Sequence, residues 1–467
     1  MNARPPATGA RYRDGPTTCR PTVAVLRDIK QSIKKSHALS SVDVRLAAYM
    51  GLVVADVQRP TGFNDGVFYP AADVQLAAAP PNKPLRAARM ARAVKGQTRK
   101  LHALALMVDF ADNVGKRPAA EFQRMLFDKS NPDSMTNRYR EMSYGALDIS
   151  GEVIGYLRAP QPYAYYTAGE SGMGDDHPHN TPGLLHDVLV EFCKTHNLAR
   201  FDTDGDGFVD GLFLIHAGGG AEAEASKTKR KQMIWSHKWT LRRSFVNQGV
   251  KVYAYSTEPE DGRVGVFAHE FGHVLGLPDL YDTSYRSEGV GDWCLMGGGE
   301  WGGNGNQPTR MSCWCLSKLG WIKPVVAKSA SYTLDTLEND PGACLRVWTG
   351  GKSTGPEYFL LENRQATGRD SALPGSGLAV WHIDETRSEN TNPHAYKVGL
   401  MQADGRRDLE RAKNSGDGGD LYPGTTRKKA FNDKSTPSSR AHDGSSTGVG
   451  LSAIGVANRK ATVTIKR

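Results

Sequence analysis

No stretch of this 467-residue sequence approaches the roughly 18–20 uninterrupted apolar residues that a membrane-spanning helix needs, and the best candidate, Leu46 to Ala55, is about half that. No membrane span is expected. Cysteine is scarce: Cys19, Cys193, Cys294, Cys313, Cys315 and Cys344 are scattered without a C-x-x-C pair, too sparse for a disulfide scaffold. Cys313 and Cys315 flank Trp314, and i, i+2 neighbours point apart in a strand or helix, so a bridge between them would be strained. The amino terminus, Met-Asn-Ala-Arg-Pro-Pro-Ala, has positive charge but runs into Gly, Pro and Thr in place of an apolar core, so it does not read as a secretory signal.

Acidic residues are also short at the front of the chain. Residues 1–100 hold 17 Lys/Arg against 6 Asp/Glu, an excess of +11 where the whole chain carries +9, so the remainder is near neutral. The stretch Lys83–Lys100 has seven basic residues and no acids. No aromatic residue interleaves those charges for base stacking, so a solvated linker is expected there and nucleic-acid binding is not.

What is present is enough apolar material, 39% of residues, for two or three packed cores. Val23, Val25, Leu26, Ile29 and Ile33 recur at helical spacing, a second apolar stretch follows at Val44–Val54, and a Pro- and Ala-rich passage at Tyr69–Pro84 breaks regularity. Residues 1–97 are therefore read as a leader or pro-region. Leu101–Phe110 is apolar with strand character, Asn137–Gly151 reads as a helix end passing into strands, Leu184–His196 as an amphipathic helix, and Leu212–Ile215 as a buried strand. After Trp321 the texture changes to short alternating runs such as Tyr358–Glu362, Leu378–Ile383 and Thr462–Ile465, parted by Gly, Asp, Ser and Pro. The expected domains are the leader, a catalytic domain at 98–325 and a β-rich carboxy-terminal domain at 326–467.

The chemistry concentrates in Val266-Phe-Ala-His-Glu-Phe-Gly-His-Val-Leu-Gly276. His269 and His273 are one helical turn apart on one face, the convergence that zinc needs, and Glu270 beside the first ligand reaches a zinc-bound water as general base. Flanking Val, Phe and Leu make a solvated helix face a poor explanation. Gly276 followed by Leu277-Pro278 should end the helix, because glycine favours the carboxy-terminal cap and proline cannot continue it. Asp279 is the first residue afterwards able to bind metal and is the favoured third ligand. Glu300 competes, although its glycine-rich surroundings do not suit the helix that usually carries such a downstream glutamate.

A second constellation is Phe201-Asp-Thr-Asp-Gly-Asp-Gly-Phe-Val-Asp-Gly211. Asp202, Asp204, Asp206 and Asp210 have the spacing of EF-hand positions 1, 3, 5 and 9, with Gly207 at the turn. Four carboxylates this close repel unless a cation joins them, so calcium is expected, while Phe213 at the place of the bidentate glutamate excludes a complete EF-hand. His237, between Trp235 and Trp239, reads at least as well as a packed histidine as a residue approaching the cleft. His177, His179, His382 and His394 carry no assignment.

The frame His269-Glu270-x-x-His273-x-x-Gly276-x-x-Asp279 resembles the extended zinc signature of the metzincins, with aspartate where many members have a third histidine, and Asp292-Trp-Cys-Leu-Met296 resembles the methionine turn of that clan. Gly265–Asp282 resembles the site of the M6, immune inhibitor A, metallopeptidases almost residue for residue, and Arg140–Gly145, Ile234–Trp239, Pro308–Trp321, Glu362–Gln365, Gly377–Asp384 and Gln402–Gly405 are similar to patterns of that family. The resemblance implies an α+β fold: a metzincin-like catalytic domain with a mixed sheet and an active-site helix, plus the β-rich domain. It implies a zinc-dependent, calcium-bearing endopeptidase acting on proteins or peptides, with Gly276 and Met296 supporting the zinc site. A secreted monomeric zymogen fits that pattern. The rival from another class is a non-catalytic, calcium-dependent binding protein on the same fold, against which the intact Glu270 counts.

Overall fold

In the computed structural model the described residues are 98–283, 286–348 and 355–466, with Pro21, Val25, Arg27, Asp28, Ile29 and Gln31 from the leader. Of the helix expected from residue 22, Val25, Arg27, Asp28, Ile29 and Gln31 are helical, with Val25 and Ile29 buried. The Asp28 carboxylate pairs with the Arg230 guanidinium at 2.6 Å, and Arg230 is buried. The remainder of that helix, the second apolar stretch and the basic segment from Lys83 to Gln97 lie outside the described residues.

The chain forms two units, one comprising residues 98–140 and 147–278 with the described leader residues, the other 141–146 and 279–466. The first is built on a five-stranded mixed sheet of β1 (Arg99–Asp109), β2 (Leu147–Arg158), β3 (Leu212–His216), β4 (His237–Asn247) and β5 (Val250–Pro259), in the order β2-β1-β3-β5-β4. β1 pairs in parallel with β2 and with β3, and β3 in parallel with β5. Parallel pairing buries both faces of a strand, which is why Ala103–Val108 is an unbroken apolar run and not an alternating one.

It also demands long crossovers. The β1–β2 connection holds helices α1 (Ala119–Leu126) and α2 (Met135–Met142), and the β2–β3 connection holds α3 (Thr181–Phe192). α3 starts where Asn180 accepts the Gly183 N–H at 3.0 Å and Pro182 occupies the first turn. The edge strand β4 runs antiparallel to β5 through a two-residue turn, Gln248-Gly249, in which both φ values are positive, at 48° and 86°. That is the mirror-image turn whose twist suits a hairpin, and glycine takes the second position without strain.

Helix α4 (Val264–Val274) carries the His-Glu-Phe-Gly-His motif and is buried from Val264 to His273. Phe213 of β3 lies with its ring centroid 5.9 Å from those of Phe267 and of Phe271, and Tyr139 of α2 meets Phe271 edge-on at 5.3 Å. Tyr139 also donates its hydroxyl to the Ala268 carbonyl at 2.5 Å. Each buried phenylalanine contributes about 1.5–3 kcal/mol by removal from water, so the motif sits on a helix that the sheet holds firmly.

Among the described residues, the β-rich texture expected after Trp321 takes the form of eight short strands. β6 (Val325–Val326), β8 (Cys344–Trp348), β9 (Glu357–Arg364), β10 (Gly377–Asp384) and β11 (Val398–Leu400) make a sheet in the order β11-β10-β9-β8-β6, and β7 (Ala330–Leu334), β12 (Gly450–Ala457) and β13 (Lys460–Lys466) make one in the order β12-β13-β7. The two sheets share a core in which Phe359, Leu361 and Val380 face Leu451, Val463 and Ile465. The fold is α+β. Cys313 and Cys315 begin a short helix, Cys313–Lys318, and are not bridged. Among the described residues no helix is long and apolar enough to cross a membrane.

Candidate metal centre

Helix α4 ends as the sequence requires. Gly276 takes φ +90°, its N–H donates to the His273 carbonyl at 2.9 Å, and the Leu277 N–H reaches back to the Gly272 carbonyl at 3.1 Å. This paired arrangement closes the last turn and redirects the chain, and a residue with a Cβ would be strained in it. The next residue but one is Pro278, so Asp279 follows the redirected chain directly.

The turn also orients one imidazole. His273 Nδ1 lies 2.8 Å from the Leu277 carbonyl, which accepts only, so Nδ1 carries the proton and Nε2 presents its lone pair. His269 Nε2 stands 3.1 Å from His273 Nε2. Along the continuous stretch from residue 269 to residue 279, donor atoms of His269, His273 and Asp279 lie within 4.8 Å of one another, all three residues buried. Two imidazole nitrogens and a carboxylate oxygen are a donor set that suits zinc and leaves a fourth corner of the tetrahedron open.

Glu270 is wholly buried on the same helix. Glu300, the competing ligand of the sequence analysis, is buried in a short turn at Gly298–Trp301 and belongs to none of the metal-competent groups among the described residues. Met296 is buried as well, and its carbonyl accepts the Leu280 N–H at 2.7 Å, which anchors the residue following Asp279.

The surroundings contain acids that the sequence analysis did not single out. Glu258, near the end of β5, is fully buried, and burial, with the nearby charges of Glu270 and Glu222, pushes its carboxyl well above the usual range. Burial likewise raises Glu222 to about 7, although Ser236 donates its hydroxyl at 2.6 Å and its N–H at 3.1 Å. Glu258 is thus held protonated at pH 7, while Glu222 is about half ionised there. The local signal for Glu258 was weak, a Glu-Pro-Glu run at a strand end. Tyr139 stood within a segment already noted, but its bond to Ala268 spans 129 positions and has no signature in sequence.

His237 is a packed histidine. It is fully buried, with Nδ1 2.6 Å from the Trp235 carbonyl and Nε2 2.9 Å from the Thr181 hydroxyl, and burial pushes its pKa down to about 3.

In the aspartate loop, Asp202, Asp204 and Asp206 converge, with donor oxygens within 4.8 Å. Asp202 accepts the N–H groups of Asp206 and Gly207, each at 3.0 Å, and Arg99 pairs with Asp204 at 3.0 Å. Asp210, the fourth residue of the spacing, is occupied elsewhere. Its carboxylate accepts the His102 N–H at 2.8 Å and the Thr203 hydroxyl, so it ties the loop to β1. Burial raises its pKa to about 6.

Comparison with known proteins agrees with this geometry. Residues 90–322 match the family model for the catalytic domain of immune inhibitor A peptidase M6. Immune inhibitor A of Bacillus thuringiensis subsp. alesti is 32% identical over 274 residues, which covers 47% of this chain and 40% of that protein. The pre-pro-metalloprotease PrtV of Vibrio cholerae serotype O1 (strain M66-2) is 31% identical over 278 residues, covering 48% of this chain and 30% of that one. The matched region is therefore less than half the length of each of these relatives. With a buried His-Glu-x-x-His helix, a convergent aspartate and a family match across the whole of that region, the chain belongs to the M6, immune inhibitor A, family of metallopeptidases.

Proposed function

We propose that the chain is a zinc-dependent endopeptidase acting on proteins or peptides. The observation that carries this reading is the approach of His269 Nε2 and His273 Nε2 to 3.1 Å on a buried helix that also holds Glu270. His269, His273 and Asp279 hold zinc, which supplies Lewis acidity to the scissile carbonyl and makes water easier to deprotonate. Glu270 takes the proton of the attacking water and returns it to the departing amine. The Leu277 carbonyl keeps His273 in the ligating tautomer. Gly276 and Met296 set the path of the chain on either side of Asp279.

Three further parts belong to the same reading. Calcium joins Asp202, Asp204 and Asp206, while Asp210 braces the loop from behind. Residues 1–97 form the pro-region of a zymogen, a view that the Asp28–Arg230 ion pair supports, ahead of a catalytic domain at 98–325 and a β-rich domain at 326–467. The enzyme acts outside the cell as a monomer of metzincin type. The test is incubation of the purified chain with a denatured protein, with and without a zinc chelator, followed by mass spectrometry of the fragments. Internal cleavage that chelation stops and added zinc restores is expected; fragments unchanged by chelation would defeat the proposal.

A further inference from the structure

We infer that the second unit holds a metal site of its own, in which Glu357, His382 and His442 bind a divalent transition cation at the wall of a cavity. Donor atoms of these three residues lie within 4.8 Å of one another. Each arrives on a different piece of chain. Glu357 opens β9, and His382 lies near the end of β10 opposite Phe359, so Glu357 is its diagonal neighbour on the same face of the sheet. His442 comes from the loop before β12.

Bonds inside the cluster orient the donors. His382 Nε2 is 2.8 Å from Glu357 Oε1, and the His442 backbone N–H donates to that same oxygen at 2.7 Å. His442 Nε2 lies 3.2 Å from the Tyr396 carbonyl. A carbonyl accepts only, so Nε2 keeps the proton and Nδ1 is the ligating end, the arrangement in which metal-binding histidines are commonly held. The two imidazoles stack with centroids 4.1 Å apart and planes 17° from parallel. A structural ion pair would explain one histidine beside Glu357; the second, with its tautomer set by a carbonyl, is what a cation explains.

The donors are two imidazoles and a carboxylate with no thiolate, which suits zinc. Ligand atoms around tetrahedral zinc at about 2.0–2.1 Å stand roughly 3.3 Å apart, a spacing that this set, with all donors within 4.8 Å, reaches by small side-chain rotations. A cavity of about 370 Å³, lined among others by His382, His442, Tyr396, Gln402, Arg407 and Arg440, adjoins the cluster and leaves room for a fourth, exchangeable ligand. For His382 to ligate through Nε2, the proton that it donates to Glu357 would move to Nδ1, so that the ring stays neutral.

The test is zinc content of the full chain by mass spectrometry after exhaustive dialysis. His442→Phe keeps a stacking ring and removes the donor. It should hold one zinc fewer per chain than wild type, with an unchanged circular dichroism spectrum and no change in zinc affinity at the remaining site. In a His269→Ala/His273→Ala background, which lacks the motif's ligands, one zinc should remain and His442→Phe should remove it. Equal zinc in wild type and His442→Phe would overturn the inference, whatever the motif itself binds.

Discussion

His273 Nδ1 is held 2.8 Å from the Leu277 carbonyl while His273 Nε2 stands 3.1 Å from His269 Nε2. One turn of chain thus ends the helix, sets the tautomer of His273 and leads directly to Asp279, because Leu277 is fixed by Gly276 and is followed by Pro278 and Asp279. The third ligand is therefore expected to be Asp279 and not Glu300. Asp279→Ala should weaken zinc binding by more than the roughly 10–100-fold typical of an outer-shell change, and Glu300→Ala should leave it near wild type. Competition with a chromogenic chelator reads both affinities; the reverse order would move the third ligand downstream.

Calcium should stabilise the protein more than it affects zinc content, since Asp202, Asp204 and Asp206 are mutually repelling without it. Saturation at about 100 times Kd adds about 2.7 kcal/mol. For a unit of this size that corresponds to roughly 5–10 °C in Tm. Differential scanning calorimetry with and without calcium decides it, and an unmoved transition would make the loop merely acidic.

Acid should expose the packed histidine. Burial holds the folded-state pKa of His237 down to about 3 against the 6.5 of an ordinary histidine, so between those limits the unfolded chain binds the proton and the folded one does not. Stability from this residue is present above pH 6.5 and is lost as pH falls, by about 1.4 kcal/mol per unit, or about 2 kcal/mol at pH 5. Glu222, raised to about 7, works in the opposite sense over the same window, so the total is no guide. The stability difference between pH 7 and pH 5 in urea titrations should instead be about 2 kcal/mol smaller in favour of pH 7 for His237→Gln than for wild type. Equal differences would mean that the ring is protonated in the folded state.

The leader should be removed within Lys83–Lys100, a polar basic stretch that ends on the first two residues of β1. Amino-terminal sequencing of active protein reads the mature start. A start well inside β1, or full activity of the uncut chain, would count against a pro-region.

The metal helix was legible because its information is local. Residues at i and i+4, a glycine at the cap and a proline after it state where two histidines point and where the chain turns. The β1 and β3 strands were legible because parallel strands buried on both faces are apolar without interruption. What sequence withheld depends on chain brought from far away. Asp210 has the spacing of a ligand, but the amide it serves belongs to His102, 108 positions earlier. Glu258 faces Glu270 only once β5 is laid beside β3. Likewise His382 had no assignment in sequence, since the residues beside it, Glu357 and His442, come from another strand and a later loop.

In the proposed mechanism Glu270 is the base and not one of the zinc ligands, so Glu270→Ala measured for zinc content and peptide turnover together tests the proposed function most directly. The substitution should keep zinc and fold while turnover falls by at least about 100-fold, as loss of a general base requires. Wild-type turnover in a folded, zinc-loaded Glu270→Ala protein would contradict it.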